Sequence, residues 1–220
     1  MGSPSSPSAE ARARRIKLIL FDVDGVLTDG GIWIFPAAAP GAMTADHIAL
    51  MESKGGYAFS SQSMVEAKGF NAHDGTGISL ARLGGMKCGI ITKRISETVA
   101  LRARDLRLEY IYMGQAYKMQ AVRAIMKKEK IGLDKICYVG DDVIDLPVMR
   151  VCGLAIAVAN ARENVKAEAH YVTPHGGGHG AARDAIEFIL AAKGILEKVI
   201  QQYIDERNPL PANMDTGKGI

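Results

Sequence analysis

The sequence predicts an α/β fold with three layers, in which a mainly parallel sheet carries helices on both faces. Short apolar runs alternate with amphipathic segments from Ile16 to about Leu190. Most of the apolar runs consist of Ile, Val, Leu and Ala without polar alternation, which is typical of strands covered on both faces. Because helix-like segments separate the strands, we expect right-handed crossovers that leave neighbouring strands parallel.

The element boundaries follow from these runs and from their flanking residues. The first predicted helix, for example, ends at Gly84-Gly85, a pair suited to a C-cap. The predicted strands are Ile16–Phe21, Lys87–Ile91, Tyr110–Met113, Ile136–Val139, Leu154–Val158 and Tyr171–Val172. The predicted helices are Gly77–Leu83, Ser96–Leu106, Lys118–Lys130, Val143–Val151 and Ala161–Ala169.

The domain organisation is predicted to be simple, with one domain over residues 16–203. Residues 30–70 break the strand–helix rhythm and suit a β-hairpin with an insertion, but they are too few for an independent cap domain. Residues 1–15 are rich in Ser, Pro and charge, and we expect a disordered arm there. The polar, Pro- and Gly-bearing segment 204–220 is expected to be a mobile tail.

Composition excludes several classes of function. Of the 220 residues 48% are hydrophobic and 23% are charged, as in a soluble globular protein. The net charge of +3 is spread through the chain without a Lys/Arg block, so we expect no nucleic-acid partner, and no apolar stretch reaches membrane-spanning length. Cys88, Cys137 and Cys152 match no metal or redox spacing and favour the reducing cytoplasm.

Residues capable of chemistry collect after the predicted strands. Ligands of parallel α/β proteins bind beyond the carboxyl ends of the strands, so these residues should meet at one edge of the sheet. Their joint occurrence favours a functional site, although each has a plainer explanation alone: a loop acid, a helix N-terminus or a solvated lysine. The residues are Asp22 and Asp24 after the first strand, Thr92 after the second, Lys118 after the third, and Asp141, Asp142 and Asp145 after the fourth.

The charges and donor groups of these residues indicate which chemical roles they can perform. Asp22, Asp24 and Asp141 would repel one another unless a cation lay between them, and oxygen ligands of this kind suit Mg²⁺. Thr92 and Lys118 supply a hydroxyl and a positive charge for phosphoryl oxygens. A carboxylate aimed at phosphorus forms an aspartyl-phosphate, and a carboxyl two residues further on serves as acid and then base. The pattern predicts a magnesium-dependent phosphatase.

The same motifs carry a resemblance to a known family. The chain resembles the haloacid dehalogenase superfamily, whose fold is Rossmann-like, and within it the cap-less branch of 3-deoxy-D-manno-octulosonate 8-phosphate phosphatases. The matching segments are DVDGVLTDG from Asp22, GDDVIDLPVM from Gly140, EAKGFNAHDGTGI from Glu66, ITKRIS from Ile91, GQAYK from Gly114 and GGGHGAARD from Gly176.

The resemblance implies specific roles for the matched residues. Asp22 would be the nucleophile and Asp24 the acid/base, with Thr92 and Lys118 as the other catalytic residues. Mg²⁺ would be held by Asp22, Asp24 through its carbonyl, and Asp141, while Asp142 and Asp145 would orient bound waters or Lys118. Substrate contacts would fall on Asp24, Asn71, Ala72, His73, Asp74, Gly75, Ser79, Arg94, Arg102 and Lys118, the arginines being suited to the carboxylate of a sugar acid. Subunits would assemble as a homotetramer, with a partner's tail closing the cleft.

Departures from the family pattern leave the substrate open. Lys93 replaces a usual glycine, His73 a common arginine and Ser79 a usual basic residue, and an insertion lies within Pro36–Ser60. The leading hypothesis is hydrolysis of 3-deoxy-D-manno-octulosonate 8-phosphate or of a closely related sugar-acid phosphate. The alternatives are a phosphatase for another ester, such as a nonulosonate 9-phosphate, and a non-catalytic oligomerisation module.

Overall fold

The computed structural model describes residues 7–36, 50–53, 56–59 and 64–205. Strand and helix labels follow chain order. The strands are β1 (Leu18–Phe21), β2 (Trp33–Pro36), β3 (Leu50–Ser53), β4 (Gly56–Phe59), β5 (Met64–Ala67), β6 (Lys87–Ile91), β7 (Tyr110–Tyr112), β8 (Ile136–Gly140), β9 (Leu154–Ala157) and β10 (Tyr171–Val172). The helices are α1 (Ala9–Ala13), α2 (Ala72–Leu83), α3 (Glu97–Asp105), α4 (Lys118–Glu129), α5 (Leu146–Met149), α6 (Glu163–Lys166), α7 (Ala181–Ala192) and α8 (Leu196–Ile204).

A six-stranded sheet in the order β10-β9-β8-β1-β6-β7 forms the centre of the fold. Every neighbouring pair in it is parallel. All residues of β1 and β8 are buried, as expected for strands covered on both faces. The predicted α/β fold with a mainly parallel sheet is therefore confirmed.

The order of the strands determines where a ligand binds. From β1 the sheet continues through β6 and β7 on one side, and through β8, β9 and β10 on the other. The direction of winding therefore changes at β1, and open α/β sheets bind ligands in the crevice beyond the carboxyl ends of strands at such a point. Asp22 follows β1 and Asp141 follows β8, so both carboxylates lie beside this crevice.

The helices pack in two groups against the sheet. Helix α7 contacts α1, α2 and α8, while α5 contacts α4, β8 and β9. The sequence analysis ended its helices at Ala169 and thus missed α7 and α8. Helix α2 also begins earlier than expected, at Ala72, because the side chain of Asn71 accepts a hydrogen bond of 2.8 Å from the backbone of His73 and caps the helix.

Residues 7–15 form an ordered segment where a disordered arm was expected, while residues 1–6 of that arm lie outside the described residues. Helix α1 is capped by Ser8, and Ala13 is fully buried in the main core. Arg12 donates a hydrogen bond of 3.1 Å to the carbonyl of Gly153, and Arg14 donates one of 3.0 Å to the carbonyl of Ala192. These long-range bonds attach the segment to the domain, which composition alone could not indicate.

The region after β1 contains antiparallel strands, as the predicted hairpin required. Strands β2 and β5 form one two-stranded ribbon, with Trp33 opposite Ala67, and β3 and β4 form another. The first ribbon exposes Trp33 (62%), Ile34, Phe35 and Val65 to solvent. The remainder of the predicted insertion and the tail from residue 206 onward lie outside the described residues. Within the described ranges, no helix is long and apolar enough to cross a bilayer.

The glycine-rich loop before α7 packs directly on the loop after β1. An ideal Cβ on Gly177 would lie 1.9 Å from the carbonyl oxygen of Gly25 and 2.6 Å from that of Thr28. The amide of Gly178 also donates a hydrogen bond of 3.3 Å to the carbonyl of Val26. The two backbones approach so closely that any side chain at Gly177 would push the first loop away from its position.

We therefore expect Gly177→Ala to lower the free energy of unfolding by about 1–3 kcal/mol or more, because the obstacle is backbone that cannot rotate aside. Gly69→Ala is the matched control, since a Cβ there meets nothing within 4 Å. Urea unfolding of both variants measures the difference. Equal stability of the two variants would contradict this account of the loop contact.

Candidate active site

Asp22 follows the central strand β1, and its side chain is only 5% exposed. Its Oδ1 accepts a hydrogen bond of 2.7 Å from the backbone amide of Val23, and its Oδ2 lies 2.7 Å from Nζ of Lys118. Burial raises the pKa of Asp22 to about 6, although the Lys118 ammonium acts in the opposite direction. The result is a carboxylate fixed in orientation by two donors.

Asp145 organises the groups around Asp22. Its Oδ1 accepts hydrogen bonds from Nζ of Lys118 at 2.7 Å and from the hydroxyl of Tyr138 at 2.8 Å. Its Oδ2 accepts from the backbone amides of Asp141 at 3.0 Å and Asp142 at 3.2 Å. Four donors thus occupy both oxygens of a fully buried carboxylate. The structure brings Asp145 to Lys118, one of the two contacts that the sequence analysis expected.

Asp141 provides the second carboxylate of the crevice. Burial, followed by the charges of Asp145, Asp22 and Asp142, raises its pKa to about 7. Its Oδ1 is buried and has no hydrogen-bond partner among the described residues. A buried carboxylate oxygen without a hydrogen-bond donor, on a residue close to other carboxylates, is an unfavourable arrangement unless a cation neutralises it.

The donor set fits a divalent cation. Asp22, Asp141 and Asp145 each offer a carboxylate oxygen, and these oxygens lie within 4.8 Å of one another. Since donors already occupy Asp145, the two carboxylates suited to ligation are Asp22 and Asp141. A set made only of oxygens favours Mg²⁺, which keeps several waters and needs few protein ligands.

Gly25 lets the two acidic loops approach. Its backbone has φ of +87°, in the left-handed region, and an ideal Cβ there would lie 2.1 Å from Oδ2 of Asp141. The side-chain amide of Asn160 donates a hydrogen bond of 3.0 Å to the carbonyl of Gly25, and its oxygen accepts one of 2.6 Å from the amide of Gly177. The sequence analysis assigned no role to Asn160, because its position after β9 becomes meaningful only in three dimensions.

Asp24 lines the same crevice and pairs with two cations. Nζ of Lys68 contacts its Oδ1, and Nε of Arg94 lies 3.5 Å from its Oδ2. Lys68 also lies 3.2 Å from Oε1 of Glu66, and its own side chain is completely buried. The sequence analysis gave Lys68 and Glu66 no role, since neither follows a strand of the main sheet.

These groups border a cleft of about 440 Å³. The backbone of Thr92 is held by bonds to Tyr112 (2.9 Å) and Gln115 (3.0 Å), which present the buried threonine at the end of β6. Lys118 lies beneath Asp22 and is not among the lining residues. The cleft is lined by Asp22, Asp24, Thr92, Lys93, Arg94, Asp141, Asp142 and Ile144.

Most of the other residues that were expected to contact the substrate do not line the cleft of their own chain. Asp74 is buried and accepts a hydrogen bond of 3.0 Å from the backbone of Arg183, so it caps α7, and burial raises its pKa. Nη1 of Arg102 pairs with Asp105 at 2.5 Å, and its guanidinium lies over the ring of Phe70. None of the expected contacts Asn71, Ala72, His73, Asp74, Gly75, Ser79 and Arg102 lines the cleft.

Comparison with known proteins gives this geometry a family. Residues 90–183 match the model of the haloacid dehalogenase-like hydrolases. The chain is also 35% identical over 201 residues to the 3-deoxy-D-manno-octulosonate 8-phosphate phosphatase KdsC of Salmonella typhimurium, covering 91% of this chain and 93% of that one. The chain belongs to this phosphatase family.

Solved structures of the family share the fold. The phosphatase of that name from Yersinia pestis superposes with a TM-score of 0.71 at 33% identity, covering 86% of this chain and 88% of that one. The Moraxella catarrhalis phosphatase, solved with a magnesium ion, a phosphate ion and the sugar acid, gives a TM-score of 0.72 at 32% identity, covering 89% and 97%. The predicted membership of this superfamily is therefore confirmed.

The hydrogen bonds around Asp145 lead to a stability prediction. We expect Asp145→Asn to lower the free energy of unfolding by about 3–5 kcal/mol, because it removes one of the two charges that neutralise the buried Lys118 and disrupts a buried network of four hydrogen bonds. Asp134→Asn is the control, since it breaks only the exposed pair with Lys135, worth at most about 1 kcal/mol. Chemical denaturation compares the two, and equal losses would show that Asp145 does not anchor the site.

Proposed function

We propose that this chain is a magnesium-dependent phosphatase that hydrolyses 3-deoxy-D-manno-octulosonate 8-phosphate to the free sugar acid and phosphate. The observation that carries the proposal is the buried Asp22 carboxylate, held 2.7 Å from Nζ of Lys118 at the carboxyl end of the central strand. Its cleft also contains Thr92 and a second carboxylate, Asp24. The family membership supports the same activity.

Asp22 is the nucleophile of this mechanism. The amide of Val23 and the ammonium of Lys118 hold its two oxygens, so the carboxylate enters the reaction already oriented. One oxygen attacks phosphorus and forms an aspartyl-phosphate, while the bond to the sugar oxygen breaks. Lys118 and Thr92 stabilise the charge on the phosphoryl oxygens.

Asp24 is the acid and base. It gives its proton to the departing sugar oxygen, and the resulting carboxylate then takes a proton from the water that attacks the aspartyl-phosphate. This second step releases phosphate and restores both carboxyl groups. Asp24 lines the same cleft as Asp22 and follows it by two residues, which suits a group that meets the leaving group while Asp22 meets phosphorus.

Magnesium is the proposed cofactor, held by the carboxylates of Asp22 and Asp141 and by the backbone carbonyl of Asp24. When bound, it neutralises the clustered acids and draws phosphoryl charge. The orphaned Oδ1 of Asp141 supports this assignment. Asp142 is exposed on the same cleft and remains available to orient a bound water.

The sugar acid is the proposed substrate because of two basic residues on the cleft. Arg94 and Lys93 both line it and are exposed, so both are accessible to an incoming carboxylate. Because Lys93 departs from the family pattern, a nonulosonate 9-phosphate is the second candidate. A non-catalytic oligomerisation module is disfavoured, since the chain retains both Asp22 and Lys118.

A homotetramer is the proposed assembly. The ribbon of β2 and β5 exposes Trp33, Ile34 and Phe35 in consecutive positions, an apolar surface that association would cover. Arg102 and the first turn of α2 do not line their own chain's cleft, and in such an assembly they become available to a neighbouring cleft. The three buried free cysteines are compatible with the cytoplasm as the compartment.

Replacement of the nucleophile is the most direct test. We expect Asp22→Asn to lower turnover by roughly 10⁴-fold or more, because an amide cannot form the acyl phosphate. Asp29→Asn, an exposed acid of the same loop, should leave turnover within about threefold. Circular dichroism and light scattering verify that both variants are folded. Activity retained by folded Asp22→Asn would refute the mechanism.

The substrate is tested with a panel of phosphate esters. We expect kcat/KM to be highest for 3-deoxy-D-manno-octulosonate 8-phosphate, lower for a nonulosonate 9-phosphate, and lowest for neutral hexose phosphates that lack the carboxylate. Arg94→Met should reduce the preference for acids over neutral sugars by about tenfold or more, as loss of a charged hydrogen bond would. A preference for neutral sugars in the parent enzyme would refute the assignment.

The metal is tested by thermal unfolding. Magnesium at a hundredfold excess over its dissociation constant should stabilise the EDTA-treated protein by about 2.7 kcal/mol and raise Tm by about 5–10 °C. Asp141→Asn should abolish most of this shift. In EDTA the same variant should be at least as stable as the parent, because it removes a carboxylate held near Asp22 and Asp145. An unchanged metal response in Asp141→Asn would exclude this residue as a ligand.

The assembly is tested by light scattering after size-exclusion chromatography. We expect the parent to have four times the mass of one chain, and Trp33→Asp to shift it toward smaller species, because a charge in an apolar interface opposes association. Lys198→Asp, on exposed α8, is the control for an added negative charge. A stable parent monomer would contradict the proposal.

A further inference from the structure

Lys68, whose side chain is completely buried, contacts the proposed acid/base Asp24. Lys68 follows β5, and its side chain has 0% exposure. Its Nζ contacts Oδ1 of Asp24 and lies 3.2 Å from Oε1 of Glu66. Burial of an ammonium is costly unless a negative charge neutralises it, and here Glu66 supplies that charge, joined by Asp24 whenever Asp24 is ionised. The carboxylates of Asp24 and Glu66 therefore hold the ammonium of Lys68 in place. The ammonium in turn fixes the orientation of the Asp24 side chain.

Glu66 is itself attached to the framework. Its backbone carbonyl accepts a hydrogen bond of 3.0 Å from the hydroxyl of Thr98 in α3. Burial acts to raise the pKa of Glu66, but interactions with Ser96, Lys68 and Arg94 lower it overall. The arrangement connects α3 through Glu66 and Lys68 to Asp24.

This contact distinguishes the two oxygens of Asp24. Lys68 contacts Oδ1, whereas the partner of Oδ2 among the described residues is Arg94, 3.5 Å away and 46% exposed. Arg94 lines the cleft and can turn toward a substrate anion, but Lys68 has no exposed surface into which it could move. Oδ2 is therefore the oxygen that a substrate can reach.

We propose that Lys68, supported by Glu66, is a positioning residue that fixes Asp24 so that Oδ2 transfers the proton. The inference rests on the proposed phosphatase activity and adds to it the residue that orients the acid. In the first step Asp22 forms its bond to phosphorus, the bond from phosphorus to the sugar oxygen breaks, and the proton on Oδ2 moves to that oxygen. In the second step Oδ2 takes a proton from water.

Leaving groups provide a readout that a general structural defect would not reproduce. A sugar alkoxide needs a proton in order to leave, whereas p-nitrophenolate does not, so only the sugar ester depends on a correctly oriented acid. The ratio kcat/KM includes only the steps up to departure of the leaving group. A defect in the orientation of Asp24 therefore lowers kcat/KM for the sugar ester much more than for p-nitrophenyl phosphate.

The experiment compares Lys68→Met with the parent on 3-deoxy-D-manno-octulosonate 8-phosphate and on p-nitrophenyl phosphate, with magnesium present. We expect kcat/KM to fall by about 10²-fold for the sugar ester and by less than about threefold for the aryl ester. Lys87→Met is the matched control, since it removes a lysine paired with a carboxylate, Glu129, away from the cleft. It should change neither value beyond about twofold.

Glu66→Gln is the second variant, because it keeps the size of the side chain while weakening the attachment of Lys68. It should reproduce the selective loss for the sugar ester at a smaller amplitude, about tenfold, even if Lys68→Met does not fold. Equal losses on both esters, or no loss on either, in folded Glu66→Gln and Lys68→Met would overturn the inference. Absence of any turnover by the parent would instead refute the proposed phosphatase activity.

Discussion

The candidate site depends on the neutralisation of carboxylates that the sheet forces together. Strands β1 and β8 are neighbours, so the acids that follow them, Asp22 and Asp141, come close whatever their charge. Asp145 adds a third carboxylate, and four donors compensate it completely. Of these three acids, Asp141 keeps one oxygen, Oδ1, without a hydrogen-bond partner among the described residues. A cation would neutralise this oxygen, and the proposed chemistry relies on that cation.

Two buried lysines give the two aspartates of the first loop different environments. Lys118 forms ion pairs with Asp22 and Asp145, whereas Lys68 forms ion pairs with Asp24 and Glu66. Each lysine thus bridges two carboxylates. The proposed nucleophile, Asp22, lies near Asp141 after β8, and the proposed acid/base, Asp24, contacts Lys68 after β5 of the ribbon, so one loop presents both carboxyl groups to the cleft.

Much of the fold and the centre of the site could be predicted, because both depend on local patterns. The apolar runs of β6 and β10 have the predicted bounds, and strand-end positions identified Asp22, Thr92 and Asp141 as neighbours. Helix α7 was missed although its buried residues recur at helical spacing. The glycine-rich motif from Gly176 to Asp184 contains the first turn of this helix, and the sequence analysis did not extend a helix beyond it.

The sequence by itself determined the sheet, the strand ends and the residue types that meet there, since each is encoded within a few consecutive positions. Only the tertiary structure decided which side chains face the cleft. It places Asp74 as a cap on α7 and Arg102 over Phe70, and it brings Lys68 and Asn160 to the loop after β1. Such contacts join residues 44 and 135 positions apart, and no local pattern encodes a pairing over that distance.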